Sequence, residues 1–100
     1  AANGPAGSGG YQLVPLSQGS SSEGLVAFVL HPSAQFEEDG RAEHAGTEGV
    51  YVLEGKIEMR LADRSIGLSA GDYLQIPGHL SHQIRKVSKR ASVLVVIGRD

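Results

Sequence analysis

Two histidines and one glutamate are the residues of this sequence whose types best suit a metal ion. His44 and Glu48 are four positions apart, and His82 lies in a separate stretch of the chain. Imidazole and carboxylate together suit Fe(II), Mn(II), Ni(II), Co(II) or Zn(II), whereas a calcium site would use oxygen ligands alone. These three residues are therefore the candidate metal ligands.

The spacing of the three residues sets a condition on the backbone. In an ideal strand, His44 and Glu48 would share a face but lie about 13 Å apart, too far for one ion. They can share a metal only if residues 45–47 bend, and Gly46 permits such a bend at low steric cost. His82 would arrive from another strand. Spacing alone also leaves plainer interpretations open, namely solvated histidines beside turns and a glutamate at a polar strand end.

The other two histidines have simpler interpretations. His31 stands beside Pro32 at the end of an apolar stretch, and His79 lies between Gly78 and Leu80. We interpret the first as a strand end and the second as a loop residue.

Composition excludes several classes of protein. The 100 residues have a formal net charge of -2 and no cysteine. This charge gives no bulk attraction to nucleic acid or anionic lipid, so we expect neither direct nucleic-acid binding by this chain nor membrane association. No apolar stretch approaches the roughly 20 residues of a membrane helix. The lack of cysteine excludes disulfides, thiolate metal sites and cysteine nucleophiles.

The chain is organised as one domain with a short arm. Residues 1–10 are rich in glycine and alanine and predict a flexible linker or arm, whereas residues 11–100 predict a single domain. The sequence begins at Ala1 rather than methionine, so we expect it to be processed or cut from a longer protein. The basic cluster at residues 85–90 predicts a solvated turn.

The elements that would position the candidate ligands are short strands. Alternating or continuous apolar residues predict strands at 11–16, 25–31, 73–77, 82–87 and 91–98. They also predict a strand, a turn and a second strand over residues 49–63, around Glu54-Gly55, and a further strand through Ile66 and Leu68. The strands at 82–87 and 91–98 are expected to form a hairpin across residues 88–90. No apolar pattern of helical period continues for three turns, so the sequence predicts an all-β sandwich or small barrel.

Two segments resemble the motifs of the cupin superfamily. His44-Ala-Gly-Thr-Glu48, followed by six residues and Gly55, is similar to the first motif, H-x-H-(x3–4)-E-(x6)-G. The stretch 71–77 followed by Gly-His-Leu-Ser-His82 is similar to the second, G-(x5)-P-x-G-(x2)-H-(x3)-N. The resemblance covers roughly residues 25–98. It implies a single-domain double-stranded β-helix, the jelly-roll barrel, with the ligands projecting into its mouth.

The motifs also depart from the family pattern. Ala42 stands where the first histidine of the family would be, His79 replaces a motif glycine and Lys86 replaces the motif asparagine. The remaining ligands, His44, Glu48 and His82, form a 2-His-1-carboxylate set, which leaves adjacent coordination positions open for other ligands. The resemblance thus implies one divalent transition metal, Fe, Mn, Ni or Zn. The expected pocket residues are Tyr51, Tyr73, Gln75 and Ile84.

Two groups of cupins share further features with this sequence. Tyr11-Gln-Leu, the apolar stretch before His31, the His44–Gly55 segment and the Ala70–Arg85 segment resemble the C-terminal cupin of Xre-type helix-turn-helix regulators. HAGTE followed by VLEGKIEM resembles the first motif of hydroxypropylphosphonate epoxidase-like mononuclear iron enzymes.

The first resemblance implies a sensory domain, and we take it as the main expectation. The barrel would bind a small molecule through its metal and act on an attached or partner DNA-binding domain, in the cytoplasm and as a homodimer. The alternatives are a mononuclear non-haem iron oxygenase or epoxidase, and a metal-free dimerisation module. Residues 11–16 are a plausible strand for exchange between two copies.

Overall fold

Eight strands form the part of the chain that the structure describes. The structure is a computed structural model, and it describes residues 12–16, 24–36 and 46–98. The strands are β1 (Gln12–Pro15), β2 (Leu25–His31), β3 (Thr47–Glu54), β4 (Lys56–Arg60), β5 (Ser65–Ser69), β6 (Tyr73–Pro77), β7 (Gln83–Lys86) and β8 (Ser92–Gly98). The predicted arm at residues 1–10 lies outside the described residues.

The strands form two antiparallel sheets. The larger has the order β1-β2-β8-β3-β6, and the smaller has the order β5-β4-β7. All described pairings are antiparallel. This arrangement confirms the predicted all-β jelly-roll fold. No helix in the described ranges is long and apolar enough to cross a membrane.

The core lies between the two sheets, where the strands place alternate side chains. In β4, Ile57 and Met59 are buried while Lys56 and Arg60 are exposed, as a strand with one dry face requires. The side chains that pack together in the core are Val50, Val52, Ile57, Met59, Leu61, Ile76, Ala91, Val93 and Val95.

One glycine is required where the chain turns from the large sheet into the small one. Gly55 has φ +78°, a conformation that side chains other than glycine rarely adopt. A Cβ atom at this position would also collide with the backbone carbonyl oxygen of Arg90. The turn between β3 and β4 therefore depends on the missing side chain.

The predicted hairpin between the last two strands is wrong. β7 pairs with β4 in the small sheet, whereas β8 pairs with β2 and β3 in the large sheet. Val87 N–H donates to the Lys56 carbonyl oxygen at 2.9 Å, and Lys56 N–H donates to Ser88 Oγ at 2.9 Å. These bonds hold the end of β7 on β4, so residues 88–90 cross from one sheet to the other.

Of two other local predictions, the edge strand is confirmed and the solvated basic turn holds only in part. β1 lies at the edge of the large sheet, as expected for a strand that contains Pro15. In the basic cluster, Arg90 is 79% exposed and lies 3.7 Å from Glu54. Arg85 instead pairs with Glu58 at 2.7 Å and lies over the ring of Phe36.

Candidate metal centre

Glu48 enters the barrel interior from the large sheet. It is the second residue of β3 and shares its face with the buried Val50. Its cross-strand neighbours are Ile97 on β8 and Ile76 on β6, and Ile97 is in turn opposite Val26 on β2. Glu48 is therefore a carboxyl group in an otherwise aliphatic row, at the end of the sheet where β3 begins.

His82 reaches the same space from the small sheet. It precedes β7 by one residue and lies on the face of Ile84, which is opposite Met59 of β4. A tight turn places it there, since Leu80 N–H donates to the Pro77 carbonyl oxygen at 3.2 Å. The imidazole consequently faces the large sheet.

Glu48 and His82 form a buried pair. Their Oε1 and Nε2 atoms are 2.9 Å apart, and only 3% of the His82 side chain and 5% of the Glu48 side chain is exposed. Buried ionisable groups are stable only when they are paired or bound to a metal. This pair joins the two sheets across positions 48 and 82.

The other ring nitrogen of His82 is held by the backbone. Nδ1 lies 2.6 Å from the Leu80 carbonyl oxygen. A carbonyl oxygen only accepts hydrogen bonds, so Nδ1 carries a proton and donates it. This bond orients the ring and directs Nε2 at Glu48, as in metal sites where a carbonyl fixes the tautomer of the ligand.

The same geometry requires one proton between the Glu48 carboxyl and the His82 imidazole. Nε2 and Oε1 at 2.9 Å share one proton, either on the imidazole beside a carboxylate or on the carboxyl beside a neutral imidazole. A metal ion held by both atoms would take the place of that proton. Metal binding at this pair therefore releases a proton.

The loops around the pair are tied together. Gly78 N–H donates to the Gly46 carbonyl oxygen at 2.7 Å, which links the turn before His82 to the entry of β3. Gly46 has φ +88°, so the backbone bends directly before Thr47. Whether this bend brings His44 to Glu48 stays a prediction. His44 itself lies outside the described residues.

The donor set fits a transition metal. Two donors each about 2.1 Å from one ion and at right angles to it are about 3.0 Å apart, close to the separation of Oε1 and Nε2. The same separation serves a hydrogen bond in the absence of metal. Within residues 12–16, 24–36 and 46–98, no three His, Cys, Asp or Glu side chains cluster as a metal site. Glu48 and His82 are two of the predicted ligands, and the predicted third is His44.

The remaining predicted residues lie elsewhere. Tyr51, Tyr73 and Gln75 are exposed on the outer face of the large sheet, opposite to the face of Glu48, and Tyr73 Oη donates to Gln75 Oε1 at 2.9 Å. The structure does not bring these three to the Glu48 side. Of the predicted pocket residues, Ile84 alone lies on the inner face, packed against the core.

The other described histidines lie away from the pair. His79 is exposed in the turn after Pro77. His31 ends β2, at the opposite end of the large sheet from Glu48.

Two features of the site escaped sequence reasoning. The Leu80 carbonyl is a backbone group and carries no sequence signal beyond its position in a turn two residues before His82. Ile97 and Val26 neighbour Glu48 only through strand pairing, which the residue pattern does not specify. For Tyr51 the sequence did contain a signal. Tyr51 and Glu48 are an odd number of residues apart on the same strand, so their side chains point to opposite faces of the sheet.

The family of the chain follows from its match to a known domain model. The model described as "Cupin domain" matches residues 27–98, which is more than half of the sequence. The chain is a cupin. The match spans both motif segments that surround Glu48 and His82.

Several solved structures are also similar to this chain. A cupin superfamily protein from Desulfitobacterium hafniense has a TM-score of 0.76 at 20% identity, over 100% of this chain and 84% of that one. Hydroxypropylphosphonic acid epoxidase from S. wedmorenis has a TM-score of 0.71 at 24% identity, over 87% of this chain and 50% of that one. These likenesses show the shared fold.

A regulator has the same fold as well. An HTH_3 family transcriptional regulator from Vibrio cholerae has a TM-score of 0.71 at 15% identity, over 90% of this cupin and 51% of that chain. This cupin thus spans about half the length of both the epoxidase and the regulator. No curated protein is a significant match to the sequence.

Proposed function

We propose that this cupin is the small-molecule sensor domain of a helix-turn-helix transcriptional regulator, and that it reads its ligand through a bound divalent transition metal. The observation that carries the proposal is the buried Glu48–His82 pair at 2.9 Å, with the imidazole oriented by Leu80. A carboxylate and an oriented imidazole directed at each other are metal-binding groups. Packing alone does not explain why an ionisable pair lies among these aliphatic side chains.

Each described residue has a defined part in binding. Glu48 Oε1 and His82 Nε2 would hold the metal together with His44. The Leu80 carbonyl keeps the Nδ1 proton of His82, so Nε2 is the nitrogen available to the metal. A metal bound here supplies a Lewis acid with open positions for a carboxylate, amine or oxygen ligand. Ile76 and Ile97 flank Glu48 and make its surroundings apolar.

Regulation would come from the linkage between ligand binding and a conformational equilibrium of the domain. A ligand shifts an equilibrium between two states only by its differential affinity for them. The bonded loops at Gly46 and Gly78 lie at the mouth, next to the pair, and are the segments that a ligand would reorder. We propose that this change acts on an attached or partner DNA-binding domain, as the similarity to a regulator of about twice the length suggests. We place the protein in the cytoplasm, as a homodimer.

Elemental analysis tests the metal directly. The chain would be expressed with iron, manganese, nickel and zinc supplied, purified and analysed by mass spectrometry of its metals. We expect close to one metal per chain. His82→Ala and His44→Ala should each lose most of it, whereas the exposed His79→Ala should retain it and serves as the matched control. Protein that binds none of the four metals would overturn the proposal and favour a metal-free module.

An enzyme is the second candidate function. It is favoured by the 2-His-1-carboxylate donor set together with the structural likeness to an iron-binding epoxidase. Oxygen consumption by the iron-loaded chain, measured with a panel of small alcohols, acids and phosphonates, distinguishes the two. Turnover that His82→Ala abolishes would support the enzyme, whereas saturable ligand binding without turnover supports the sensor.

A further inference from the structure

Aliphatic side chains flank the buried pair on the inner face of the large sheet. The row of Glu48 continues through Ile97 to Val26 on one side and to Ile76 on the other. Each of these four residues is one position from the end of its strand. The row therefore lies at the end of the barrel where a ligand would enter, and Glu48 is its one polar member.

The exposure of the inner face rises toward this end on the β2–β8 side. Val95 and Val50, one row deeper, are 2% and 0% exposed, whereas Ile97 and Val26 are half-buried. Ile84 of the small sheet is half-buried as well. Apolar surface thus remains accessible beside the pair, and a hydrocarbon group that covered it would be stabilised by leaving water.

The same walls provide no second polar anchor. Every buried side-chain nitrogen and oxygen of the described ranges already has a hydrogen-bond partner, so none is left to recognise a further polar group. Lys86 has inner-face register, opposite Ile57, but it lies four residues beyond His82, about 13 Å along the strand toward the other end of the barrel. A second charge on a ligand would consequently lie against aliphatic side chains without a partner, which is unfavourable.

The charge of the ligand set favours one negative charge on the ligand. Glu48 is the single anion among the three candidate ligands, and a metal-bound His82 is neutral because Nδ1 keeps its proton while Nε2 binds the metal. With His44 also neutral, a divalent metal held by the three would retain one net positive charge. A monoanion neutralises this charge, whereas an amine leaves it and a dianion exceeds it, in apolar surroundings where uncompensated charge is costly.

From the walls and the charge we infer the class of ligand: a monocarboxylic acid whose carboxylate binds the metal and whose hydrocarbon group lies along Val26 and Ile97. The inference rests on the proposed function, since the metal anchors the carboxylate, and it names the ligand that the sensor would bind. Acids with a second charged group, such as dicarboxylates and amino acids, are disfavoured by the aliphatic walls.

A matched series of acids tests the class. The chain loaded with Mn(II) is titrated with acetate, propionate, butyrate, pentanoate and glutarate, and binding is measured by the fall in water-proton relaxation as each acid displaces metal-bound water. Each added methylene should tighten binding about three- to fourfold, so pentanoate should bind about thirtyfold to sixtyfold more tightly than acetate. Glutarate has a carboxylate where pentanoate has its methyl group, and it should bind at least about tenfold more weakly than pentanoate.

A lysine in the wall should change this preference. Val26→Lys places an ammonium group beside the hydrocarbon group and should raise the affinity for glutarate relative to pentanoate at least about tenfold. Val29→Lys is the matched control, because Val29 lies on the same strand but on the outer face, opposite Leu94, and the ratio should stay unchanged. Metal content and thermal unfolding would confirm that each variant is loaded and folded. The acid series on the unmodified chain decides the class even if a variant does not fold.

The outcomes separate this inference from the proposed function. A chain that binds no metal in the elemental analysis would overturn both. A metal-loaded chain that binds pentanoate no more tightly than acetate, or glutarate as tightly as pentanoate, would overturn the ligand class alone. An unchanged ratio in folded, loaded Val26→Lys would overturn the position of the hydrocarbon group along β2.

Discussion

The backbone N–H of Gly78 donates to the carbonyl oxygen of Gly46 at 2.7 Å and so joins the two loops that lead to the buried pair. One loop enters β3 just before Glu48, and the other forms the turn before His82. Gly46 accepts this bond while it has a φ of +88°, a conformation that favours glycine. The relative position of the two candidate ligands thus depends on the backbone at two glycines.

Gly46→Ala should therefore weaken the site. A side chain at φ +88° costs about 1–2 kcal/mol, which the loop would relieve by shifting away from Gly78. We expect metal affinity to fall by about fivefold to thirtyfold, measured by calorimetric titration with Mn(II) or Zn(II). Gly67→Ala is the control, because Gly67 lies in exposed β5 with open space around it. Equal affinities in the two variants would contradict this role of Gly46.

Removal of only one partner of the buried Glu48–His82 pair should lower the stability of the protein. In metal-free protein, Glu48→Leu removes the carboxylate partner of His82 Nε2, and His82→Leu removes the imidazole partner of Glu48 Oε1, which breaks the bond that joins the two side chains. Each change should lower the free energy of unfolding by about 1–3 kcal/mol, measured by urea denaturation in the presence of a chelator. The double variant should lose less than the sum of the two single losses, since an apolar pair needs no polar partner, although the Leu80 carbonyl oxygen still loses its donor. Losses that simply add in the double variant would show that the two side chains are not coupled.

Metal binding should release protons. The proton between Nε2 and Oε1 must leave before both atoms bind a metal. Affinity should therefore rise with pH, by up to about tenfold per unit where one proton is exchanged. Calorimetric titration in buffers of different ionisation enthalpy measures the number released. An affinity that does not change with pH, together with no proton release, would exclude this pair as the ligands.

Gly55→Ala should destabilise the fold. The new methyl group would combine the cost of a positive φ with a collision against the Arg90 carbonyl oxygen. We expect a loss of at least about 2 kcal/mol in the free energy of unfolding. Gly67→Ala again provides the comparison, with a change near zero. A loss as small as that of the control would show that the turn between the sheets can be rebuilt without glycine.

The strands were predictable from sequence because alternation is a local signal. Ile57 and Met59 alternate with charged residues, and this pattern alone predicts β4 and its buried face. Alternation does not say which strands pair. The segment at 88–90 has the length of a hairpin turn, yet Ser88 and Val87 bind Lys56 and send the chain to the other sheet.

The site was predictable in part for the same reason. Motif resemblance predicted one site for Glu48 and His82, and the structure places their side chains 2.9 Å apart although they are 34 positions apart in the chain. The orientation of His82 by Leu80 depends on a backbone carbonyl in a turn, which residue types do not encode. The tyrosines were predicted as pocket residues because of their polar groups. The alternation of side chains along each strand places Tyr51 and Tyr73 on the outer face instead.

Anomalous diffraction from crystals of the chain grown with Mn(II) or Zn(II) tests the central claim most directly. We predict one anomalous peak per chain at about 2.0–2.2 Å from both Glu48 Oε1 and His82 Nε2, with His44 as the third protein ligand. A fully occupied metal that contacts neither atom, or a Glu48–His82 hydrogen bond that persists unchanged at saturating metal, would contradict it.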